Sequence, residues 1–246
     1  MIRTRLVIGI VAALAVIGVA GGAFWYLVLR DDAPAEVSLA DAVGSLATKT
    51  TQAAPTSASG TSTTSSPTTA SGGATTGVAG AWAPDTTQQN FLGYRVNEEL
   101  ARIGFQTAVG RTSAVTGSVV IDGSTVTSAT IEADLTKLKS DSNMRDGQLR
   151  NQAIETSRFP RATFVLGEKV TLPASLAEGQ PFDTTLKGKL TLHGVTKDVE
   201  IPVKGQLQSS LLVVVGSTTI QFADYQVSKP NGASVLSIED HGIMEF

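Results

Sequence analysis

From Trp82 to Phe246 apolar and polar residues alternate with a period of two, the mark of strands with one buried face. In Ser128–Leu135, Ala129, Ile131, Ala133 and Leu135 share one side, and Thr130, Glu132 and Asp134 share the other. Leu186, Gly188, Leu190 and Leu192 alternate with Lys187, Lys189 and Thr191; Val199, Ile201 and Val203 alternate with Asp198, Glu200 and Lys204. Asp122-Gly123 lies between Ser118–Ile121 and Ser124–Thr130, and Asn231-Gly232 between Tyr225–Ser228 and Ser234–Ile238. Both dipeptides supply the positive φ of tight hairpins, so two antiparallel turns are predicted there. Ser140–Ala153 predicts a short helix, with Ser140 or Ser142 to cap it and Met144, Leu149 and Ala153 at loose helical spacing. Gly147 weakens that helix by about 1 kcal/mol relative to Ala. About eight strands and little helix predict an all-β fold, an eight-stranded antiparallel barrel with a short helical excursion, because closure removes exposed edges. Such a barrel is either filled by side chains or holds one small ligand. Alternation alone leaves both open.

Two other patterns precede the alternating region. Leu6–Leu29 is a run without one charged residue, longer than the roughly 20 helical residues that span a bilayer core. Trp25 and Tyr26 stand near its far end, and Arg3 and Arg5 precede it. Residues 1–30 are thus predicted to be a single-pass transmembrane signal-anchor in the cell membrane, with the remainder extracytoplasmic. Cleavage at the weak Gly21-Gly22-Ala23 site, followed by secretion, is the alternative. Residues 31–80 are rich in Ser, Thr, Ala and Gly and predict a disordered linker, a spacer or an O-glycosylated stalk. Within it, Ser38-Leu39-Ala40-Asp41 can cap a short helix carrying Leu39, Val43 and Leu46 on one face. The barrel is assigned to 81–246.

Composition then removes whole classes of function. The formal net charge is −3 and no basic stripe occurs, so nucleic acid is excluded as a partner. The chain has no cysteine, hence no disulfide, thiolate metal site or Cys nucleophile. It has two histidines, His193 and His241, too few for a histidine metal site, so no metal and no cofactor are expected. Glu132 and Asp134 share a polar strand face, and Asp146 adjoins Arg145. Neither these nor Asp224 form a recognisable acid/base pair. No G-x-S-x-G elbow or phosphate-binding glycine loop occurs, and the chain is not expected to be an enzyme.

Two stretches carry a family resemblance. The first is Arg145-Asp146-Gly147-Gln148-Leu149-Arg150, continuing to Arg158-Phe159-Pro160-Arg161-Ala162-Thr163-Phe164. The second is Leu190-Thr191-Leu192-His193-Gly194-Val195-Thr196-Lys197-Asp198-Val199, with a weaker third match at Ile220–Val227. In order and separation they resemble the YceI family, lipocalin-like proteins known for binding polyisoprenoids. Two departures stand out: Trp82 is followed by Ala83-Pro84-Asp85 rather than the family's opening strand, and Arg102-Ile103-Gly104-Phe105 replaces a Phe-x-Val-x-His segment. The resemblance implies a lipocalin-like barrel with an apolar tunnel for an isoprenoid or quinone-like lipid, held for storage or transport outside the membrane. The expected lining is Ala129, Ile131, Ala133, Leu135, Phe164, Leu166, Leu190, Leu192, Val199, Ile201, Ile220 and Phe222. Arg145, Arg150 and Arg158 form a candidate diphosphate head-group site. His193-Gly194 falls where one strand turns into the next, so the ring is expected to fix that turn by hydrogen bonding. Gly188, on the apolar face, leaves room for a ligand or eases a bend. A structural barrel with a filled core is the alternative function, and a homodimer is compatible with the sequence.

Overall fold

The computed structural model describes residues 33–52, 77–173, 176–232 and 234–246. The predicted anchor at Leu6–Leu29 and the central part of the predicted linker lie outside them. Among the described residues no helix is long and apolar enough to cross a membrane.

The described strands are β1 (Gly80–Trp82), β2 (Leu92–Leu100), β3 (Gly104–Thr112), β4 (Val115–Asp122), β5 (Thr125–Asp134), β6 (Lys139–Ser140), β7 (Arg161–Leu166), β8 (Val170–Thr171), β9 (Pro181–Leu192), β10 (Val195–Gln208), β11 (Leu211–Gln221), β12 (Val235–Ile238) and β13 (His241–Glu245). They form one antiparallel sheet in the order β1-β4-β5-β7-β9-β10-β11-β13-β2-β3-β6, with β12 on β2 and β8 on β5. The all-β class is as predicted, but the described strands number thirteen rather than about eight. Among the additional strands, β1, β6 and β8 have only two or three residues each, too few to show alternation, whereas β12 falls within the predicted Ser234–Ile238 segment. β3 and β4 lie near opposite ends of the strand order, yet only Ser113 and Ala114 separate them in the chain. The sheet therefore curls into a half-barrel whose two flanks meet only at the Ser113-Ala114 link; β3 and β4 share no ladder, so the closed barrel predicted above is not formed by the described strands. Asp134 N–H donates to Ala114 O at 2.9 Å, and Thr112 Oγ1 donates to Asp134 O at 3.0 Å across that meeting point.

The β9–β10 hairpin shows the sequence logic most plainly. Its alternation buries Leu190, Ile201 and Val203 and exposes the charged residues between them. On the outer face Lys187 faces Glu200 at 3.1 Å, Lys189 faces Asp198 at 2.8 Å and Lys204 faces Asp183 at 2.5 Å, each pair directly opposed in the ladder. Solvent screens these pairs, so they serve to fix register, because a one-residue slip would turn every buried side chain outward. His193 (φ 51°) and Gly194 (φ 75°) make the two-residue turn, both left-handed as a type I′ hairpin requires.

The other turns depart from expectation. At β4–β5 the flanking pair is Asp122 and Thr125, so the loop is Gly123-Ser124, one residue beyond the predicted dipeptide. Asn231-Gly232 makes no hairpin. Phe222–Tyr225 is a 3₁₀ turn ended by Gln226 in the left-handed region, and β12 pairs with β2 instead. Pro230 has no N–H to give a ladder, and buried Tyr225 is committed to the core. Leu135, predicted as a strand residue, opens a 3₁₀ turn that Asp134 caps by accepting from Thr136 N at 2.9 Å.

Two helices complete the described fold. α1 (Leu39–Gln52) starts at Ser38, whose Oγ accepts from Asp41 N at 3.2 Å, and it packs against β10 and β11. α2 (Asn143–Gln148) is capped by Ser142 and runs into a π-turn at Leu149–Ala153, matching the predicted short helix.

The interior holds two apolar clusters. Phe164, Leu190, Ile201, Val203, Ile220, Tyr225 and Met244 form one, and Val78, Ile121, Val126, Val170, Leu172 and Phe182 the other. Leu166 and Leu186 pack against both. Gly188 gives its missing side chain to Phe164: a Cβ there would lie 2.7 Å from the ring and 2.3 Å from Val165 O. The space is filled by protein.

Candidate functional site

Beside the first cluster the half-barrel keeps an open cavity, in which the centres of water-sized molecules can move through about 130 Å³. Leu92, Val96 and Ala108 line it from β2 and β3, Ala162 and Leu190 from β7 and β9, and Ile220 and Met244 from β11 and β13. Leu149, Ala153 and Ile154 cover it from the π-turn after α2, and Val227, Ser228 and Pro230 from the loop after β11. Gln148 ties these covers together by donating to Asn231 O at 3.4 Å, while Asn231 N–H donates to Gln152 Oε1 at 3.2 Å.

One group of polar side chains interrupts the apolar lining. Arg145 from α2 donates through Nη2 to Glu98 Oε1 of β2 at 2.6 Å, and through Nη1 to Asp141. Burial opposes the guanidinium charge, but the bond to Glu98 and the attraction of Glu98 and Asp141 outweigh it, so the Arg145 pKa is raised. Asp146, beside it in sequence, turns the other way. Burial alone would raise its carboxyl, yet bonds from Ser140 Oγ at 2.8 Å, Ser140 N at 2.9 Å and Lys139 Nζ at 3.2 Å hold it below the ordinary value. Tyr94 completes the group. Its hydroxyl is buried, makes no hydrogen bond among the described residues, and is held protonated far above the usual tyrosine range, chiefly by burial.

Of the twelve side chains expected to line a tunnel, Leu135, Leu190, Leu192, Ile220 and Phe222 reach the cavity. Phe164 and Ile201 are packed within the first cluster, and Leu166 and Val199 against it. Ala129 and Ala133 are buried and Ile131 is half-buried, all away from the cavity wall. The three arginines do not converge. Arg145 lines the cavity, Arg150 is exposed, and exposed Arg158 stacks over Phe159 with its guanidinium carbon 4.9 Å from the ring centre. Tyr94, Glu98 and the rest of the β2 lining were not anticipated. The signal was there in Leu92, Tyr94, Val96 and Glu98, a period-two series whose last member puts a charge where an apolar residue belongs.

His193 stands at the β9–β10 turn. Its Nδ1 is 3.0 Å from Tyr225 O, its Nε2 is 2.9 Å from Glu155 Oε2, and Phe159 meets it edge-on at 4.3 Å. The ring thereby links three segments below the cavity's cover. His241 lies against Asp240 and Glu239 at the surface, and no group of three or more His, Asp or Glu able to hold a metal occurs among the described residues. Glu132 pairs with Arg161 at 3.0 Å and Asp224 with Lys197 at 3.9 Å.

Comparison with known proteins agrees with this geometry. Residues 82–246 match the model of the YceI-like domain. The chain is 26% identical to the UPF0312 protein VPA0850 of Vibrio parahaemolyticus over 159 residues, covering 59% of this chain and 78% of that one. A polyisoprenoid binding domain from Saccharophagus degradans, implicated in plant cell wall breakdown, superposes with a TM-score of 0.51 at 18% identity, over 67% of this chain and 94% of its own. Burkholderia cenocepacia BcnA gives a TM-score of 0.51 at 17% identity, over 65% and 95%. At such identities the superpositions speak for the fold, and the sequence match speaks for the family: this chain belongs to the YceI-like domain family.

Proposed function

We propose that this chain binds the apolar chain of a long lipid, an isoprenoid or quinone-like molecule, and stores or hands it over outside the membrane without chemical change. The observation that carries the reading is the cavity itself, lined almost throughout by apolar side chains and bearing one polar group at Tyr94, Glu98 and Arg145. Burying apolar surface there would contribute about 25 cal/mol per Å². The S. degradans relative, a polyisoprenoid binding domain, supports the same reading. The polar group favours a neutral head over a diphosphate. Arg145 is already matched by Glu98 and Asp141, whereas the Tyr94 hydroxyl is free to donate to a carbonyl or hydroxyl. We further propose that Leu6–Leu29 anchors the chain in the cell membrane with the barrel on the outer side. The carboxylates near the cavity are engaged in ion pairs and caps, which fits a binder rather than a catalyst.

The test is native mass spectrometry of the full chain, expressed in a bacterial host and released from detergent, followed by organic extraction. A co-purifying lipid with a polyprenyl or similar long apolar chain supports the reading. A bare mass, and no uptake of added polyprenol, would sink it in favour of a filled barrel displayed for surface interactions.

A further inference from the structure

The cavity's lining stops at the same kind of residue on two walls. Along β7 the inward positions run Ala162, Phe164, Leu166. The first lines the cavity, the second is packed in the first cluster, and the third packs against both clusters. Along β9 they run Leu192, Leu190, Gly188, Leu186. Leu192 and Leu190 line the cavity, the Phe164 ring fills the seat over Gly188, and Leu186 packs against both clusters. The wall made by β11 and β13 ends in the same way. Met244 lines the cavity, and the next residue on its face, Phe246, lays its ring over Gly216 of β11, where a Cβ would lie 2.7 Å from Cζ. Phe246 is fixed there by exchanging backbone hydrogen bonds with Gly216 at 3.0 and 3.1 Å. On β2 the lining ends with Leu92, which packs against the same cluster.

Two phenylalanines, each seated on a glycine of a neighbouring strand, thus stand where the cavity stops. Beyond them the interior does not turn polar. Leu166 and Leu186 carry it on to the second apolar cluster around Val126, Val170 and Phe182. The end of the cavity is therefore set by the bulk of the two rings and not by a change in chemistry. At the other end of the lining lies the polar group of Glu98 and Arg145, with the Tyr94 hydroxyl beside it. The space between is closed in length, with a head-group position at one end and aromatic bulk at the other.

We propose that Phe164, backed by Phe246, is a ruler for the lipid tail, limiting the length enclosed by the barrel to about three or four isoprene units from the head group. The inference rests on the lipid-binding reading above and names which part of the lipid is held. Glu98 and Leu92 are the first and last cavity-lining positions on the inner face of β2, and at about 3.4 Å per residue they are about 20 Å apart. An extended chain advances about 3.6 Å over three backbone bonds, so the four chain bonds of an isoprene unit take about 5 Å. Strand tilt shortens the usable depth and brings the number from about four towards three. A longer tail finds no apolar interior left to enter, and its remainder stays outside the barrel.

Displacement of a fluorescent prenyl probe by prenyl alcohols of two to six isoprene units, in dilute aqueous solution, measures this limit. In the wild type each unit up to the third or fourth should tighten binding about tenfold or more, and each later unit less than about threefold. Phe164→Ala removes a six-carbon ring, room for about one five-carbon unit, and should move the break one unit further. Ala162→Leu adds bulk just above the ring, where the cavity has space, and should move the break one unit shorter. If circular dichroism shows that Phe164→Ala does not fold, Ala162→Leu decides alone. Binding that tightens steadily through six units overturns the proposal, and so does a break at the same length in the wild type and the folded variants. Either result leaves the lipid reading standing. No displacement at any length removes both.

Discussion

Replacing Glu98 by Gln separates what the cavity's polar group does for the fold from what it does for a ligand. Glu98 and Arg145 meet at 2.6 Å with side-chain exposures of 9% and 16%, so the pair is largely removed from water. Breaking a buried pair by removing one partner costs about 3–5 kcal/mol when the remaining charge is stranded. Here it is not stranded, because Asp141 also bonds Arg145 and Gln keeps both bulk and an acceptor. The expected loss is therefore about 1–2 kcal/mol, or about 2–8 °C in Tm at roughly 2–4 °C per kcal/mol for a domain of this size. The effect on ligands runs the other way. Counting Arg145, Lys139, Glu98, Asp141 and Asp146, the native group carries a net −1, and the variant carries zero. At an effective dielectric of about 20, removing one negative charge several ångströms from a diphosphate is worth roughly 2 kcal/mol. Calorimetric titration with a prenyl alcohol and its diphosphate checks this. The diphosphate should gain about tenfold to a hundredfold in Glu98→Gln while the alcohol changes little. A wild-type protein that already binds the diphosphate more tightly than the alcohol would refute the neutral-head reasoning.

Other perturbations follow from single contacts. Gly188→Ala places a methyl against Val165 O and the Phe164 ring, and should cost about 3 kcal/mol, the upper part of the overpacking range, in urea denaturation. His193→Ala removes both ring bonds and leaves a non-glycine residue at positive φ, a loss of about 2–3 kcal/mol; His193→Asn, which tolerates that φ, should recover part of it. Asp146 has a folded pKa below its unfolded value, so its contribution is present above about pH 3.9 and is lost as pH falls through the folded value. The Tm difference between wild type and Asp146→Asn should accordingly shrink below pH 4, and a constant gap would refute the assignment. Ala162→Phe directs a ring into the cavity and should abolish polyprenol uptake while leaving the far-ultraviolet circular dichroism of the sheet unchanged.

Where the chain alternates between Leu or Ile on one side and Lys or Glu on the other, as in β9 and β10, the strands and their buried faces could be read directly. The His193-Gly194 turn followed from the resemblance, and both residues do take the positive φ of a two-residue hairpin. The shorter strands could not be read, since β6 and β8 have two residues each and exist only because β3 and β5 offer them a ladder. The lining was half legible for a related reason. A period of two tells which side of the sheet a residue faces but not how far along the barrel it sits, so Phe164 and Ile201 fill the core while Leu190 and Ile220 also wall the cavity. β2 escaped because Glu98 occupies an inward position, and its partner Arg145 comes from a helix 47 residues away in the chain. Asn231-Gly232 misled because hairpin chemistry is local, whereas Gln148 and Gln152 pull that loop onto α2.

The chain on either side of the low-complexity stretch is held by the barrel. Before it, α1 packs on β10 and β11; after it, Val78 is buried in the second cluster. A protease that cuts between residues 53 and 76 would therefore yield two polypeptides on a denaturing gel and still one particle in solution. The N-terminal fragment would stay bound through α1 and through the bonds that Arg95 and Arg111 donate to Pro34 O at 2.6 Å and Ala35 O at 3.3 Å. Cleavage there would nick the protein without shedding its barrel.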